Sequence, residues 1–224
     1  GLLQNADYNI KRKNQDIKFF ELGKIYHKKA KYEERKQLAM LVSGRNSAEN
    51  WLQPKSATDF YYLKSYVKIL LDKLNLKIEE KPLDDSRFSD ALELVSDSRT
   101  VGKLGKVSPE LLKDADISQD CFYAEIELEV CQELRSKGNL KFVDIPKFNR
   151  IRRDLALLID KKVTYADLYK AAKKNPSKYL KNINLFDVYE GKNLPENKKS
   201  YAMSFELLNE EKTLEEKDIT EVMN

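Results

Sequence analysis

At 224 residues, 41% apolar and 35% charged, the chain has the material for a packed core and the length for one large domain or two small ones. Nothing in it approaches the roughly eighteen continuous apolar residues of a membrane span, and a formal net charge of +4 is too small by itself to mark a nucleic-acid partner. Cys121 and Cys131 stand without a CxxC or a companion His pair, so metal spacing is excluded and a reduced, cytoplasmic setting is expected.

The opening residues, GLLQNADYNIKRKNQ, form a polar run without the apolar core of an export signal. The missing initiator Met suggests a fragment. Residues 16–26 (DIKFFELGKIY) read as a strand with a slip near Gly23. Residues 37–43 (QLAMLVS) read as a buried strand that pairs with it as a hairpin. Trp51 follows in a polar loop, its ring expected over an edge of the core. Residues 57–74 give the clearest helix of this half, with Phe60, Leu63, Val67, Leu70, Leu71 and Leu74 recurring at three and four. Thr58 is the expected N-cap, and Asn75 the expected end. Tyr61, Tyr62 and Tyr66 are expected to pack or to lie at the rim.

Residues 92–95, 101–104 and 122–128 read as strands. Ser108 starts a short helix with Pro109 in its first turn, where the missing N–H costs nothing. The GKLGK run at 102–106 lacks the GxxxxGK[ST] spacing of a phosphate loop and reads as a hairpin arm. Residues 129–145 turn polar, and the domain boundary is expected there. No catalytic set assembles from this half. Its one histidine, His27, reads as a surface residue, no Ser/His/Asp or Cys/His set forms without it, and the pairs Asp84–Asp85 and Glu79–Glu80 sit in polar loops with nothing to raise a pKa.

The second half reads as a split β-α-β unit. Residues 154–160 form a strand with Leu155, Leu157 and Ile159 on one face. Thr164 caps a helix running to about Lys174, with Tyr165, Leu168, Tyr169 and Ala172 inward. Residues 180–207 form a hairpin. Its first arm carries Ile183, Leu185 and Val188, its second alternates Tyr201, Met203 and Phe205 with polar or small residues, and the turn lies at 191–197. Thr213 is expected to cap a last helix in a capping box with Glu216, with Leu214, Ile219 and Val222 on its apolar side. Asp187 and Tyr189, two apart on a strand, share a face. A carboxylate beside a ring on an open sheet can stack on and hydrogen-bond a base; an ordinary hairpin with a half-buried tyrosine gives the same spacing. Residues 146–200 hold 14 Lys and Arg against 6 Asp and Glu, and residues 201–224 hold 2 against 7. That asymmetry suggests one positive face, and a solvated lysine-rich surface would produce it as well.

The string RRDLAL…VTYADL…LFDVYEG…LPENKKSYA…F…EEKTL resembles the ferredoxin-fold anticodon-binding domain of the bacterial phenylalanine–tRNA ligase beta subunit, in order and spacing over about eighty residues. With that domain in place, FFELGKIY at 19–26, DFYYLKSYVKILLDKL at 59–74 and VGKLGKVSPELL at 101–112 look like the class II synthetase-like module of the same family, which has the synthetase sheet but no active site. The residues agree. Phe19–Phe20 precede Glu21 where class II enzymes hold ATP phosphate with an arginine, and Gly105 is followed by Lys106, Val107 and Ser108 rather than by a glycine-rich run and an arginine. Residues 81–94 lack the family's Pro-Gly-Arg run, and Ser108 stands where His is common.

The resemblance implies an α+β chain. Residues 1–140 would be a non-catalytic class II synthetase-like module with a mixed or antiparallel sheet and helices, and residues 146–224 a ferredoxin-like split β-α-β domain lacking its last strand. It implies that Asp187 and Tyr189 contact anticodon bases, the tyrosine by stacking, with Ser200 and the backbone at Ala156 beside them. Arg153, Lys198 and Lys199 are candidates for phosphate contacts; Arg153 could equally form an ion pair with Asp154 at a domain junction. No catalytic or metal-ligating residue is expected. The implied partners are phenylalanine tRNA and an alpha subunit, in an assembly of two alpha and two beta chains, with ATP and Mg2+ used by the parent enzyme and no cofactor in this chain. Two alternatives stay open: a free-standing RNA-binding module of the same fold without anticodon preference, and a small-molecule-sensing domain without RNA.

Overall fold

The computed structural model describes residues 1–28, 32–52, 56–135, 144–174 and 177–223. They fall into two compact units, Gly1–Asn139 and Leu140–Asn224. Among the described residues no helix is long and apolar enough to cross a membrane. The side chain of His27 and the stretch 136–143, on which part of the expected boundary falls, lie outside them.

The first unit contains α1 (Leu2–Ile10), β1 (Ile17–Lys28), β2 (Tyr32–Ser43), α2 (Phe60–Lys73), β3 (Glu79–Pro82), β4 (Phe88–Ser96), β5 (Arg99–Val107), α3 (Pro109–Asp114), β6 (Cys121–Glu127) and α4 (Leu128–Leu134). Its strands form one antiparallel sheet in the order β1-β2-β6-β5-β4-β3. Strand periodicity divides the core in two. Phe122, Ala124 and Ile126 of β6 join Leu63, Val67 and Leu71 of α2 on one face. Cys121 and Tyr123 join Leu2 and Ala6 of α1 and Leu112 of α3 on the other. Gly105 of β5 is where the ring of Phe88 crosses the strand, since a Cβ there would lie 2.6 Å from Phe88 Cδ1. The GKLGK run is therefore the middle of a packed strand.

Several local readings need correction. The β1–β2 ladder runs without a slip through Gly23, which faces Gln37. The cap of α2 is Asp59, whose carboxylate accepts from Tyr62 N at 2.7 Å; Thr58 instead donates its hydroxyl to the Gly44 carbonyl at 3.1 Å. Trp51 is 95% exposed. The aromatic bonded to that loop is Tyr62, whose hydroxyl reaches Asn46 O at 3.1 Å. Ser108 does cap α3, accepting from Leu111 N. Helix α1, not expected from the polar opening, buries Leu2 and Ala6, one turn apart.

The second unit contains β7 (Ile151–Asp160), α5 (Tyr165–Lys174), β8 (Leu180–Tyr189), β9 (Lys198–Leu207) and α6 (Glu216–Met223). The order is β7-β9-β8, with β9 antiparallel to both neighbours. β7 and β8 are thus parallel with β9 between them, a split β-α-β arrangement. The outer edge of β7 has no strand beside it among the described residues. Thr164 caps α5 reciprocally: its Oγ1 accepts from Asp167 N at 3.2 Å, and its N donates to Asp167 Oδ2 at 2.9 Å. The last helix starts later than Thr213 would place it. Leu214 is buried with Leu207 and Ile219, so the chain must first deliver that side chain to the core; a capping bond then forms from Glu215 N to Asp218 Oδ2 at 3.2 Å.

Candidate nucleic-acid interface

The register of the second sheet sorts its side chains. Leu155, Leu157, Tyr201, Met203, Leu207 and Ile183 share one face by pairing. That face meets the helices: Leu207 packs with Ile219 of α6, and Tyr165 of α5 donates its hydroxyl to Ile183 O at 3.2 Å. The opposite face carries Arg152, Asp154, Ala156 and Leu158 from β7 and Glu206, Ser204, Ala202 and Ser200 from β9. On it Asp154, Ala156, Leu158, Asn184, Asp187 and Tyr189 are all exposed.

β8 carries a bulge on its way along that face. Leu185 faces Met203 and Asp187 faces Ala202, so Phe186 is an extra residue in the ladder. Before it, Ile183 and Leu185 point to the helices. After it, Asp187 and Tyr189 stand in the open rows Ala156–Ala202–Asp187 and Leu158–Ser200–Tyr189. Tyr189 is 44% exposed. Its ring lies over Gly191, where a Cβ would come within 2.5 Å of Tyr189 Cζ, so the turn glycine leaves the ring its place.

The structure thus brings together Asp187, Tyr189, Ser200 and Ala156, with Lys198 at the same end, paired with Asp160. It places Arg153 and Lys199 on the helix-bearing face. Arg153 Nη2 lies 2.6 Å from Glu216 Oε1 of α6, and buried Lys199 sits with Nζ 4.6 Å from the Tyr201 ring centroid. The Arg153–Asp154 pair, the alternative to a phosphate contact, does not form either, because neighbouring residues of a strand point to opposite faces; Asp154 is taken by Arg152, Nε–Oδ1 2.7 Å. Three features of the open face were not anticipated. Phe186 is exposed. The Arg152 guanidinium lies 5.0 Å from its ring centroid. Lys161 and Lys162 follow β7 and Lys192 follows β8, in turns at the Tyr189 end of the sheet, where Lys161 N donates to Asn197 O at 2.9 Å. A change of parity between Leu185 and Val188 was the available sign of the bulge.

Among its described residues the first unit holds a dense charge cluster. Arg87 bonds Asp85 (Nη2–Oδ2 2.8 Å) and Glu125 (Nη2–Oε1 3.2 Å), and Lys103 reaches both carboxylates. The Arg87 hydrogen bonds hold the Asp85 carboxyl well below its ordinary value. Burial, then Glu125, push the Tyr123 phenol up to about 12. A carboxylate kept ionised and a phenol kept protonated are poor proton shuttles near neutrality. Among the described residues no group of three His, Cys, Asp or Glu side chains is placed to hold a metal ion.

The geometry defines an α+β protein whose second unit is a split β-α-β module with one open sheet face bearing a ring, a carboxylate and small side chains. Residues 1–128 match the family model described as the phenylalanyl tRNA synthetase beta chain CLM domain. Residues 146–224 match the one described as the ferredoxin-fold anticodon binding domain. The chain belongs to the phenylalanyl-tRNA synthetase beta chain family. It is 37% identical over 238 residues to the phenylalanine–tRNA ligase beta subunit of Bacteroides thetaiotaomicron, covering 100% of this chain and 29% of the relative. The corresponding values are 35% over 237 residues (100% and 29%) for Porphyromonas gingivalis, and 33% over 230 residues (98% and 28%) for Bacillus subtilis. The chain therefore spans under a third of the length of these relatives. A solved pyrrolysyl-tRNA synthetase from Desulfitobacterium hafniense has a TM-score of 0.46 at 14% identity, over 60% of this chain and 47% of that one, a likeness too slight to carry an argument.

Proposed function

We propose that the open face of the β7-β9-β8 sheet binds the anticodon of phenylalanine tRNA. The observation that carries this reading is the register that aligns Ala156, Asp187, Tyr189 and Ser200 in two adjacent rows of one exposed face. Tyr189 stacks on a base, worth about 1–3 kcal/mol as such contacts go. Asp187 accepts from a base edge, with Ser200 beside it. Lys198, together with Lys161, Lys162 and Lys192 in the adjoining turns, meets backbone phosphate, which positions the strand without specifying it. Arg153 and Lys199, on the other face, serve the fold.

On this reading the chain acts as part of a phenylalanine–tRNA ligase beta subunit in the cytoplasm. It supports an alpha subunit, in an assembly of two of each, that joins phenylalanine to its tRNA using ATP and Mg2+. The first unit buttresses that assembly and performs no chemistry. Its Phe19–Phe20–Glu21 stretch offers no arginine for ATP phosphate, and its Asp85 is locked to Arg87.

Titration with the anticodon stem-loop of phenylalanine tRNA, and with the same stem-loop carrying a replaced anticodon, at two salt concentrations tests the reading. Tighter binding to the native loop at both salts is expected. Equal binding to both loops that fades with salt would reduce the face to a basic RNA-adhesive surface.

A further inference from the structure

We infer that Phe186 is a second base-stacking platform on this face, beside Tyr189; the inference rests on the anticodon-binding reading above. A strand without residue 186 would still place Asp187 opposite Ala202 and Tyr189 opposite Ser200, in an unbroken ladder from Leu185–Met203. What the bulge adds to the open face is therefore a phenyl ring. Bulges are sites where a strand re-aims a side chain, at the cost of unpaired backbone.

The ring is built to be presented. It is 47% exposed, although an aromatic side chain gains most when buried. One side is held by the Arg152 guanidinium, 5.0 Å from the ring centroid. Arg152 is itself fixed by a two-pronged bond to Asp154, Nε–Oδ1 2.7 Å and Nη2–Oδ2 3.2 Å. The guanidinium reaches from β7 across β9 to the ring on β8, and Ser204 between them is buried. Toward the hairpin turn the floor between the outer strands is small, Ala156, Ala202 and Ser200, with Leu158 at its β7 edge, which leaves room for planar groups against the sheet. Phe186 and Tyr189 flank Asp187, Phe186 next to it at the bulge and Tyr189 two regular strand residues beyond it, roughly 7 Å at about 3.3 Å per residue. Two rings on either side of an acceptor suit neighbouring, splayed bases of a single strand, which stack on aromatics and expose their edges. A sheet face reading a rigid duplex would have no use for a pair of rings.

The test uses the full chain, with anticodon stem-loops carrying a single abasic nucleotide at each loop position in turn. Phe186→Ala is expected to weaken the intact loop about ten- to a hundredfold, and Phe186→Tyr to restore binding. One abasic position is expected to erase the difference between wild type and Phe186→Ala, and a different one the difference between wild type and Tyr189→Ala. This position-specific coupling cannot come from a merely structural role. If wild type shows no preference for the native loop, the anticodon reading itself falls, and this inference with it. If wild type and Tyr189→Ala behave as expected but Phe186→Ala binds every loop as wild type does, or loses the same factor on every loop, the second platform alone is overturned.

Discussion

Leu185 and Asp187 stand two residues apart on β8 and point to opposite faces of the sheet. Leu185 faces Met203, which is 1% exposed on the helix-bearing side, and Asp187 faces Ala202 on the open side. One extra residue, Phe186, changes the face that the odd-numbered residues of β8 take, from the helix-bearing side at Ile183 and Leu185 to the open side at Asp187 and Tyr189. Deleting Phe186 is expected to leave the Asp187–Ala202 and Tyr189–Ser200 pairings intact and to change stability by no more than about 1 kcal/mol. Cross-strand proton contacts between these pairs check it; their replacement by contacts to residues one position away would show that the bulge sets the register.

Gly191 governs the Tyr189 ring. Gly191→Ala places a methyl group where the ring now lies, so the ring must swing. A several-fold loss of affinity for the anticodon stem-loop is expected, with stability changed by less than about 0.5 kcal/mol, as for other exposed sites. Parallel binding and thermal unfolding of the variant separate the two effects.

How much of this was legible in the sequence follows the physics of each element. Both arms of the 180–207 hairpin, helix α2, the Thr164 cap and the Ser108 cap announce themselves through local chemistry: alternation, three-and-four spacing, a hydroxyl before a helix. Asp187 and Tyr189 came from their spacing on a strand, Ser200 and Ala156 from resemblance, and the register sets the four in neighbouring rows. What escaped was set by distant partners. Arg153 sits next to Asp154 in sequence but reaches Glu216, sixty-three residues on. Phe186 reads as one more apolar strand residue until the bulge is seen. Strand β3 is exposed throughout and offers no apolar pattern; its pairing to β4 decides it.

The first unit should lose stability in acid through Asp85. Arg87 lowers the pKa of this carboxyl in the folded state. A group depressed on folding contributes stability that is complete above its unfolded value, about 3.9, and is lost as pH falls through the lower folded value. Asp85→Asn should therefore unfold more easily than wild type at pH 7, by about 1–2 kcal/mol, and the two curves should begin to approach each other below about pH 4, the gap narrowing steadily as pH falls further. Thermal midpoints of both proteins from pH 7 to pH 2 measure this. A constant gap down to pH 2 would mean that Asp85 acts by packing.

Cys131 is buried beneath β5, its Sγ 4.0 Å from Val101 O, and burial pushes its thiol up to about 11. The thiolate is the reacting form. Alkylation at pH 8 is expected to leave Cys131 unmodified in the folded protein and to proceed in denaturant at the rate of a free thiol. Mass-resolved labelling with time follows it.

The central claim is that RNA bases lie on the face opposite the helices. Methyl NMR of the chain with labelled alanine and methionine tests it most directly, because Ala156 and Ala202 form the floor of the open face while Met203, beside Ala202 in sequence, is buried on the other. Addition of the native anticodon stem-loop should shift the Ala156 and Ala202 methyl signals by the ring currents of stacked bases and leave Met203 in place. Unmoved Ala156 and Ala202 signals in a complex whose formation is established by titration would contradict the claim.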